Sequence, residues 1–253
     1  MPLVRQRGLT FHVQSLGTAG PPVVMLHGLL VGSMTTWYFG AAPRLAERAR
    51  VLLYDLRGHG KSERPGSGYG LGEMAADLDA LLDLHFGAEP AILVGHSWGA
   101  LTAIRFALRR PERVARLALV EAPLPPSQLA ELAAFVRLPP AQMADALPEP
   151  LRGALARGGR AATSLARQLV GLAAETSVLE DLAAEPDVPD DALARLGAPT
   201  LLVYGDRSNC RPTGDRLACV LPDAKLRVLP GGHFLPTEAG PALTAALVED
   251  LNG

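Results

Sequence analysis

Cysteine is scarce in this chain, whose 253 residues include only Cys210 and Cys219. Two thiols are too few for a disulfide framework, and neither has cysteine or histidine partners at the spacing of a zinc site. We therefore expect two free thiols in a reducing cytoplasm, and we expect no metal or other cofactor.

An excess of charge of one sign is also missing. The 24 lysines and arginines stand against 26 acidic residues, for a formal net charge of −2. This balance offers no basic surface to nucleic acid or anionic lipid. No run of about 18 apolar residues is present, and no apolar segment follows Arg5 and Arg7 as in a secretory signal. We expect a small-molecule partner, no nucleic acid, no membrane span and no export, and the oligomeric state stays open.

Short apolar runs alternate with helical patterns up to Ala122 and again after residue 195, as in a parallel sheet with crossover helices. The predicted strands of this α/β fold are Leu9–Ser15, Pro22–Leu26, Val51–Tyr54, Ala91–Val94, Arg116–Val120, Thr200–Tyr204 and Lys225–Leu229. Between the two parts, helical patterns are broken by prolines and glycines. We expect a core domain of residues 1–122 and 196–253, with residues 123–195 inserted as a helical cap.

The most informative motif is Gly95-His96-Ser97-Trp98-Gly99, between the apolar run Ala91–Val94 and the helical pattern Ala100–Leu108. A serine on a tight strand-to-helix turn presents its hydroxyl on a strained backbone, and flanking glycines are needed because a Cβ would clash there. The motif is typical of a nucleophile elbow. We therefore expect Ser97 to be a catalytic nucleophile.

A serine hydroxyl needs a base within hydrogen-bond reach and an acid that fixes the tautomer of that base. His233 lies in a loop just past the last predicted strand, and Asp206 follows the strand before it. Both are at carboxyl ends of strands, where sites cluster in such sheets. We expect a triad of Ser97, Asp206 and His233, with Glu121, which ends the strand before the predicted cap, as the alternative acid.

An oxyanion formed at the carbonyl carbon needs two backbone N–H donors. The N–H of Trp98, next to the nucleophile, is one candidate. The other is expected from the loop after the strand Pro22–Leu26, where His27-Gly28-Leu29 lets the backbone turn beneath the elbow. We assign that role to the N–H of Leu29.

Several linked motifs resemble the α/β-hydrolase superfamily. They are His27-Gly28, the run 55–62, Gly95–Gly99, Tyr204-Gly205-Asp206 and Gly232-His233-Phe234. The chain order of serine, acid and histidine matches as well. The resemblance covers nearly all of the chain outside the predicted cap, and implies an eight-stranded, mostly parallel sheet, a helical cap and acyl-enzyme chemistry. The chain is most similar to the esterase, cofactor-free haloperoxidase and epoxide-hydrolase-like group. Epoxide hydrolases and dehalogenases have an aspartate where this chain has Ser97, which argues against those two activities.

The candidate pocket residues are apolar or aromatic. Those near the catalytic motifs are Leu30, Trp37, Tyr38 and Phe234, and those in the predicted cap are Leu129, Leu132, Phe135, Leu165 and Leu169. Such side chains indicate a substrate with an apolar acyl or alkyl part, although they also suit simple packing of a cap onto a core.

We therefore expect a serine hydrolase that cleaves a small carboxylic ester, thioester or lactone. The same triad also serves thioester release or ring closure, perhydrolysis and carbon–carbon cleavage, and these reactions are the alternatives. A ligand receptor on a hydrolase scaffold is the non-enzymatic alternative, against which a complete triad argues.

Overall fold

The computed structural model of the protein describes residues 2–124 and 156–252, together with positions 134, 138, 142, 152 and 153. The side chains at 160–162, 164–166 and 252 are outside this description. Of the predicted pocket residues, Leu129, Leu132 and Phe135 therefore lie outside the described residues, as does the side chain of Leu165.

Eight strands form one sheet in the order β1-β2-β4-β3-β5-β6-β7-β8. Their bounds are β1 Leu3–Gln6, β2 Leu9–Leu16, β3 Pro22–Leu26, β4 Arg50–Tyr54, β5 Ala91–His96, β6 Val114–Val120, β7 Thr200–Gly205 and β8 Ala224–Leu229. The pairs β1/β2 and β2/β4 are antiparallel, and the other neighbouring pairs are parallel. The expected eight-stranded, mostly parallel sheet is confirmed.

Helices cover both faces of the sheet. Their bounds are α1 Thr35–Tyr38, α2 Ala41–Leu45, α3 Leu71–Phe86, α4 Trp98–Arg109, α5 Gly159–Glu175, α6 Val178–Ala184, α7 Asp190–Leu193, α8 Arg211–Val220, α9 Leu235–Glu238 and α10 Gly240–Asn252. Because successive strand residues face opposite sides, each face buries its own apolar cluster. In β3, Val24 and Leu26 pack with residues of α3 and α4, whereas Val23 and Met25 pack with residues of α2 and α10.

Helices α5, α6 and α7 lie in the segment predicted as a cap. Leu169 and Leu172 of α5 are buried in the apolar cluster that also contains residues of α3 and α4. The division of the chain into a core at 1–122 and 196–253 and a cap at 123–195 stays a prediction. Among the described helices, none combines the length and apolarity that crossing a bilayer would require.

The parallel strands end together at one edge of the sheet. His96, the last residue of β5, pairs with Val120, the last residue of β6. Gly205, the last residue of β7, pairs with Leu229, the last residue of β8. Residues that directly follow these strands are therefore neighbours, which makes this edge the place to look for a site.

Candidate active site

Ser97 occupies the turn between β5 and α4 with φ of 53° and ψ of −117°, a conformation that L residues rarely adopt. The two glycines of the motif are needed because the turn is tight. A Cβ on Gly95 would lie 2.5 Å from the backbone nitrogen of Ala100, and a Cβ on Gly99 would lie 2.6 Å from the carbonyl oxygen of Leu26. The structure therefore has the strained turn that the motif predicts.

His233 links Ser97 to a carboxylate. Its Nε2 lies 3.0 Å from Ser97 Oγ, and its Nδ1 lies 3.2 Å from Oε2 of Glu121. An ionised carboxylate only accepts hydrogen bonds, so Nδ1 carries the ring proton and Nε2 is free to accept the serine hydroxyl proton. This tautomer is the one in which a histidine acts as a base towards serine.

Glu121 is fully buried directly after β6, with φ of 56°. Its N–H donates to the carbonyl of Val203 at 2.9 Å. One carboxylate oxygen accepts the N–H of Gly205, and the other accepts the hydroxyl of Ser208 as well as the His233 contact. These donors compensate the burial of the charge and hold the carboxylate in one orientation.

Asp206, the acid preferred on sequence grounds, does not contact His233. Its side chain is 48% exposed and lies 3.3 Å from the Arg207 guanidinium. Its Oδ1 accepts the N–H of Gly231 at 2.9 Å. The reason is that β7 extends to Gly205, which puts Asp206 on the outside of the following turn. The alternative acid, Glu121, is the carboxylate that the structure brings to His233.

The loop after β3 approaches the elbow closely. A Cβ on Gly28 would lie 3.3 Å from Cβ of Ser97. Within the described part of the chain, the N–H groups of Leu29 and Trp98 donate to no protein acceptor. The next amide along, that of Leu30, is already bonded to His59 at 2.9 Å. The two predicted oxyanion donors are thus available beside Ser97.

His59 and His27 hold the loops that follow β3 and β4. Nε2 of His59 accepts the N–H of Leu30, so its Nδ1–H donates to the Arg57 carbonyl at 2.8 Å. His27 accepts the N–H of Leu56 at 3.0 Å in the same way. Burial lowers the pKa of His59 to about 3, and burial also lowers the pKa of His27. Both rings are therefore neutral supports for the backbone.

His96 fixes the loop that bears His233. Its Nε2–H donates to the carbonyl oxygen of His233 at 2.8 Å, and the two rings lie 5.2 Å apart. Burial, together with the neighbouring His233, lowers the pKa of His96 to about 3. The ring next to Ser97 is thus a neutral donor that positions His233.

A cavity of about 1010 Å³ opens beside Ser97 and His233. Its wall includes Leu29, Leu30, Val31, Thr36, Phe39, Arg44, Phe234, Pro236 and Thr244. Leu30 and Phe234 therefore lie where the sequence predicted them. Leu29 and Val31 belong to the same loop after β3 as Leu30. The remaining residues of this set come from α1 and the position after it, from α2, and from α9 and α10, whose sequence carries no motif that would have singled them out.

Of the predicted pocket residues whose side chains the structure describes, three are not part of this wall. Trp37 is buried in the apolar cluster of α2 and α10, and its indole N–H donates to the Leu26 carbonyl at 3.0 Å. Tyr38 packs against the same cluster. Leu169 is buried with Leu172 in the cluster on the opposite face of the sheet. Their bulk serves packing, which is the other use of apolar residues at such positions.

Two residues near the site had no signal in the sequence beyond their position after β7. Ser208 donates to Glu121, and its Oγ also accepts the N–H of Cys210 at 3.0 Å. The Cys210 thiol is buried and lies 3.4 Å from Nδ1 of His233. Both residues follow β7, whose end lies beside the ends of β6 and β8, and this position brings them next to Glu121 and His233.

Comparison with known proteins agrees with the fold. A model of the alpha/beta hydrolase fold matches residues 21–156. The chain is 29% identical over 249 residues to a putative non-heme chloroperoxidase of Synechocystis sp., with 88% of each chain covered. It is similar to the structure of a hydrolase from Pseudomonas aeruginosa PA01, with a TM-score of 0.82, 25% identity, and coverage of 100% of this chain and 98% of that one. It is also similar to a thermophilic esterase from Thermogutta terrifontis, with a TM-score of 0.77, 26% identity, and coverage of 99% and 96%.

Proposed function

Because this chain belongs to the α/β-hydrolase family, we propose that it is a serine hydrolase that cleaves a small carboxylic ester, thioester or lactone. In this proposal Ser97 is the nucleophile, His233 the general base, and Glu121 the acid that orients His233. The observation that carries it is the continuous relay from Ser97 Oγ through both ring nitrogens of His233 to the buried Glu121 carboxylate.

The first half of the reaction forms an acyl-enzyme. Nε2 of His233 removes the hydroxyl proton of Ser97 as Oγ attacks the carbonyl carbon. The imidazolium that forms is stabilised by the Glu121 carboxylate, whose charge is held in place by Gly205 and Ser208. The leaving alcohol, thiol or lactone oxygen then takes the proton from Nε2. A buried carboxylate helps here because its interaction with the imidazolium is weakly screened.

The developing oxyanion is bound by the N–H groups of Leu29 and Trp98. In related chemistry, loss of one such donor costs about 3 to 4 kcal/mol of transition-state stabilisation. In the second half of the reaction, His233 activates a water molecule that attacks the acyl-enzyme and releases the acid. The cavity beside Ser97 and His233 supplies the route by which substrate and water arrive.

The wall of the cavity favours a substrate with an apolar part. Leu29, Leu30, Val31, Phe39 and Phe234 give it an aliphatic and aromatic surface. Pockets of this kind bind chiefly by burying apolar area, while a few polar groups set orientation. The similarity to an esterase structure over nearly the whole chain supports ester cleavage in particular.

The direct test is turnover of p-nitrophenyl esters from acetate to laurate by the wild type, Ser97→Ala and Ser33→Ala. Ser33, in the loop after β3, is a matched control because its hydroxyl contacts that of Thr35 and the residue is not part of the cavity wall. We expect the wild type and Ser33→Ala to turn over and Ser97→Ala to remain at the background rate. Wild-type activity that persists in Ser97→Ala would refute the proposal.

Perhydrolysis is the second candidate, and the similarity to a putative chloroperoxidase over 88% of the chain favours it. Here a carboxylic acid acylates Ser97 with loss of water, and hydrogen peroxide instead of water releases the acyl group as a peracid. Incubation with acetate and hydrogen peroxide distinguishes the two. If peracid forms at a higher rate than the ester is hydrolysed, and only when Ser97 is present, perhydrolysis becomes the favoured function.

A further inference from the structure

Three potential metal ligands meet at the side of His233 that faces away from Ser97. Nδ1 of His233 lies 3.2 Å from a Glu121 carboxylate oxygen and 3.4 Å from Sγ of Cys210. The three ligand atoms lie within 4.8 Å of one another. The ring N–H reaches both acceptors, so the direction in which Nδ1 would bind an ion points between the carboxylate and the sulfur.

We propose that Glu121, Cys210 and His233 form a binding site for a thiophilic divalent cation, Zn²⁺ in the first place, and that the bound ion switches the hydrolase off. The three ligand types, a thiolate, an imidazole and a carboxylate, are those that zinc binds in proteins.

The two separations measured from His233 Nδ1 fit a tetrahedral ion. With ordinary zinc bond lengths, tetrahedral angles separate a nitrogen and an oxygen ligand by about 3.3 Å and a nitrogen and a sulfur ligand by about 3.5 Å. The observed separations from His233 Nδ1 are 3.2 Å to Glu121 and 3.4 Å to Cys210. An ion can therefore take the place of the Nδ1 proton with these two separations kept, and the Glu121 oxygen and the Cys210 sulfur, which lie within 4.8 Å of each other, would complete the three protein ligands.

The charge of the ligands and the access to the site also suit a divalent cation. The Glu121 carboxylate and a Cys210 thiolate together balance the two charges of the ion, so that the buried site becomes neutral. The metal takes the thiol proton's place, and that proton leaves to solvent. Cys210 and His233 both line the cavity beside Ser97, which gives the ion an entry route and leaves its fourth position open to water.

The ion would inhibit by fixing the wrong tautomer. When Nδ1 binds a metal, the single proton of a neutral imidazole must be on Nε2, where it points at Ser97 Oγ. Nε2 can then no longer accept the serine proton. This inhibition rests on the proposed function of His233 as the base, whereas metal binding itself does not.

Binding is tested without any substrate. Chelator-treated protein is titrated with Cd²⁺ as a spectroscopic stand-in for Zn²⁺, and the thiolate-to-metal charge-transfer absorption is followed in the ultraviolet. We expect one ion per chain in the wild type and in Cys219→Ser, whose exposed thiol is the matched control. We expect no such band in Cys210→Ser or Cys210→Ala. A wild-type band in both Cys210 variants, or none in the wild type, would overturn the site.

Inhibition is then measured with Zn²⁺ on ester turnover, each variant relative to its own rate in chelator. We expect inhibition of the wild type that EDTA reverses, with the half-inhibiting concentration raised by roughly 100-fold or more in Cys210→Ser, because loss of a ligand exceeds the effect of losing a supporting contact. Equal inhibition of both proteins would overturn the switch. A cadmium band in a chain that lacks all ester turnover would uphold the site and count against the proposed function instead.

Discussion

Oε2 of Glu121 lies 3.2 Å from Nδ1 of His233, and the same oxygen accepts the hydroxyl of Ser208. Glu121 leaves β6 with a positive φ, as Ser97 leaves β5. The amide of Ser97 donates to the carbonyl of Val120, the residue before Glu121. Ser97 and Glu121, the proposed nucleophile and acid, are thus the first residues past two paired strands, which explains how one histidine reaches both.

Replacement of Glu121 by Gln should lower kcat by roughly 10⁴-fold, because a neutral amide neither selects the Nδ1–H tautomer nor stabilises the imidazolium. The matched variant Asp206→Asn should stay close to the wild-type rate, since Asp206 contacts Gly231 and Arg207 at the surface. Steady-state kinetics on the best p-nitrophenyl ester measure both. The opposite ranking of the two variants would return the acid role to Asp206.

Gln168 of α5 holds the loop that bears the predicted oxyanion donor. Its amide N–H₂ donates to the carbonyls of Leu30 and Gly32, and its Oε1 accepts the N–H of Gly60 at 3.0 Å. Gln168→Ala should therefore lower kcat by up to about 100-fold through misplacement of the Leu29 amide, with a smaller change in KM. Val170→Ala, at an exposed position of the same helix, is the control. An unchanged kcat in Gln168→Ala would show that the loop keeps its shape without this contact.

Gly99→Ala should be destabilising as well as inactivating. The added methyl would lie 2.6 Å from the Leu26 carbonyl oxygen and 2.7 Å from that of His27, so backbone must move. We expect the free energy of unfolding in urea to fall by about 3 kcal/mol, at the upper end of overpacking effects. Gly72→Ala, where a Cβ meets nothing within 4 Å, is the control and should not be destabilised. Equal stability of both variants would contradict the tight turn.

Stability should fall as pH drops below 6.5. The pKa of buried His59 is about 3, compared with its ordinary value of 6.5, so in this range the unfolded chain binds a proton that the folded chain does not. Each such histidine contributes a slope of about 1.4 kcal/mol per pH unit between these values. His59→Gln keeps an acceptor for Leu30 but cannot titrate. Urea unfolding from pH 7 to 4.5 should give this variant a shallower slope than the wild type, and parallel slopes would refute the assignment.

Much of the fold follows from local patterns in the sequence. The strands β3 to β7 are built mainly on buried apolar runs, and each matches a predicted strand to within two residues at either end. Strand β1, Leu3–Gln6, was not predicted, because it is a short edge strand with no fully buried residue. The turn at Ser97 could be predicted from the sequence because close backbone contacts within and next to the motif require glycine at positions 95 and 99.

The carboxylate that contacts His233 was harder to predict because its identity depends on contacts between distant segments. Asp206 and Glu121 both follow a buried strand, and the sequence around each residue does not indicate which of the two carboxylates is buried. The difference arises from the turn after β7, which places Ser208 inside and Asp206 outside. The packing role of Trp37 could not be predicted from the sequence either, since the hydrogen bond from its indole N–H to the Leu26 carbonyl forms only in the folded core.

The most direct measurement of the central claim is the trapping of the acyl-enzyme. Wild-type protein and Ser97→Ala are mixed with a p-nitrophenyl ester, quenched in acid within the first turnover, and digested for peptide mass spectrometry. We expect the wild type to carry one acyl group on the hydroxyl of Ser97, and the variant to carry none. An acyl group on another residue, or ester turnover by the wild type without any trapped acyl group on Ser97, would contradict the account.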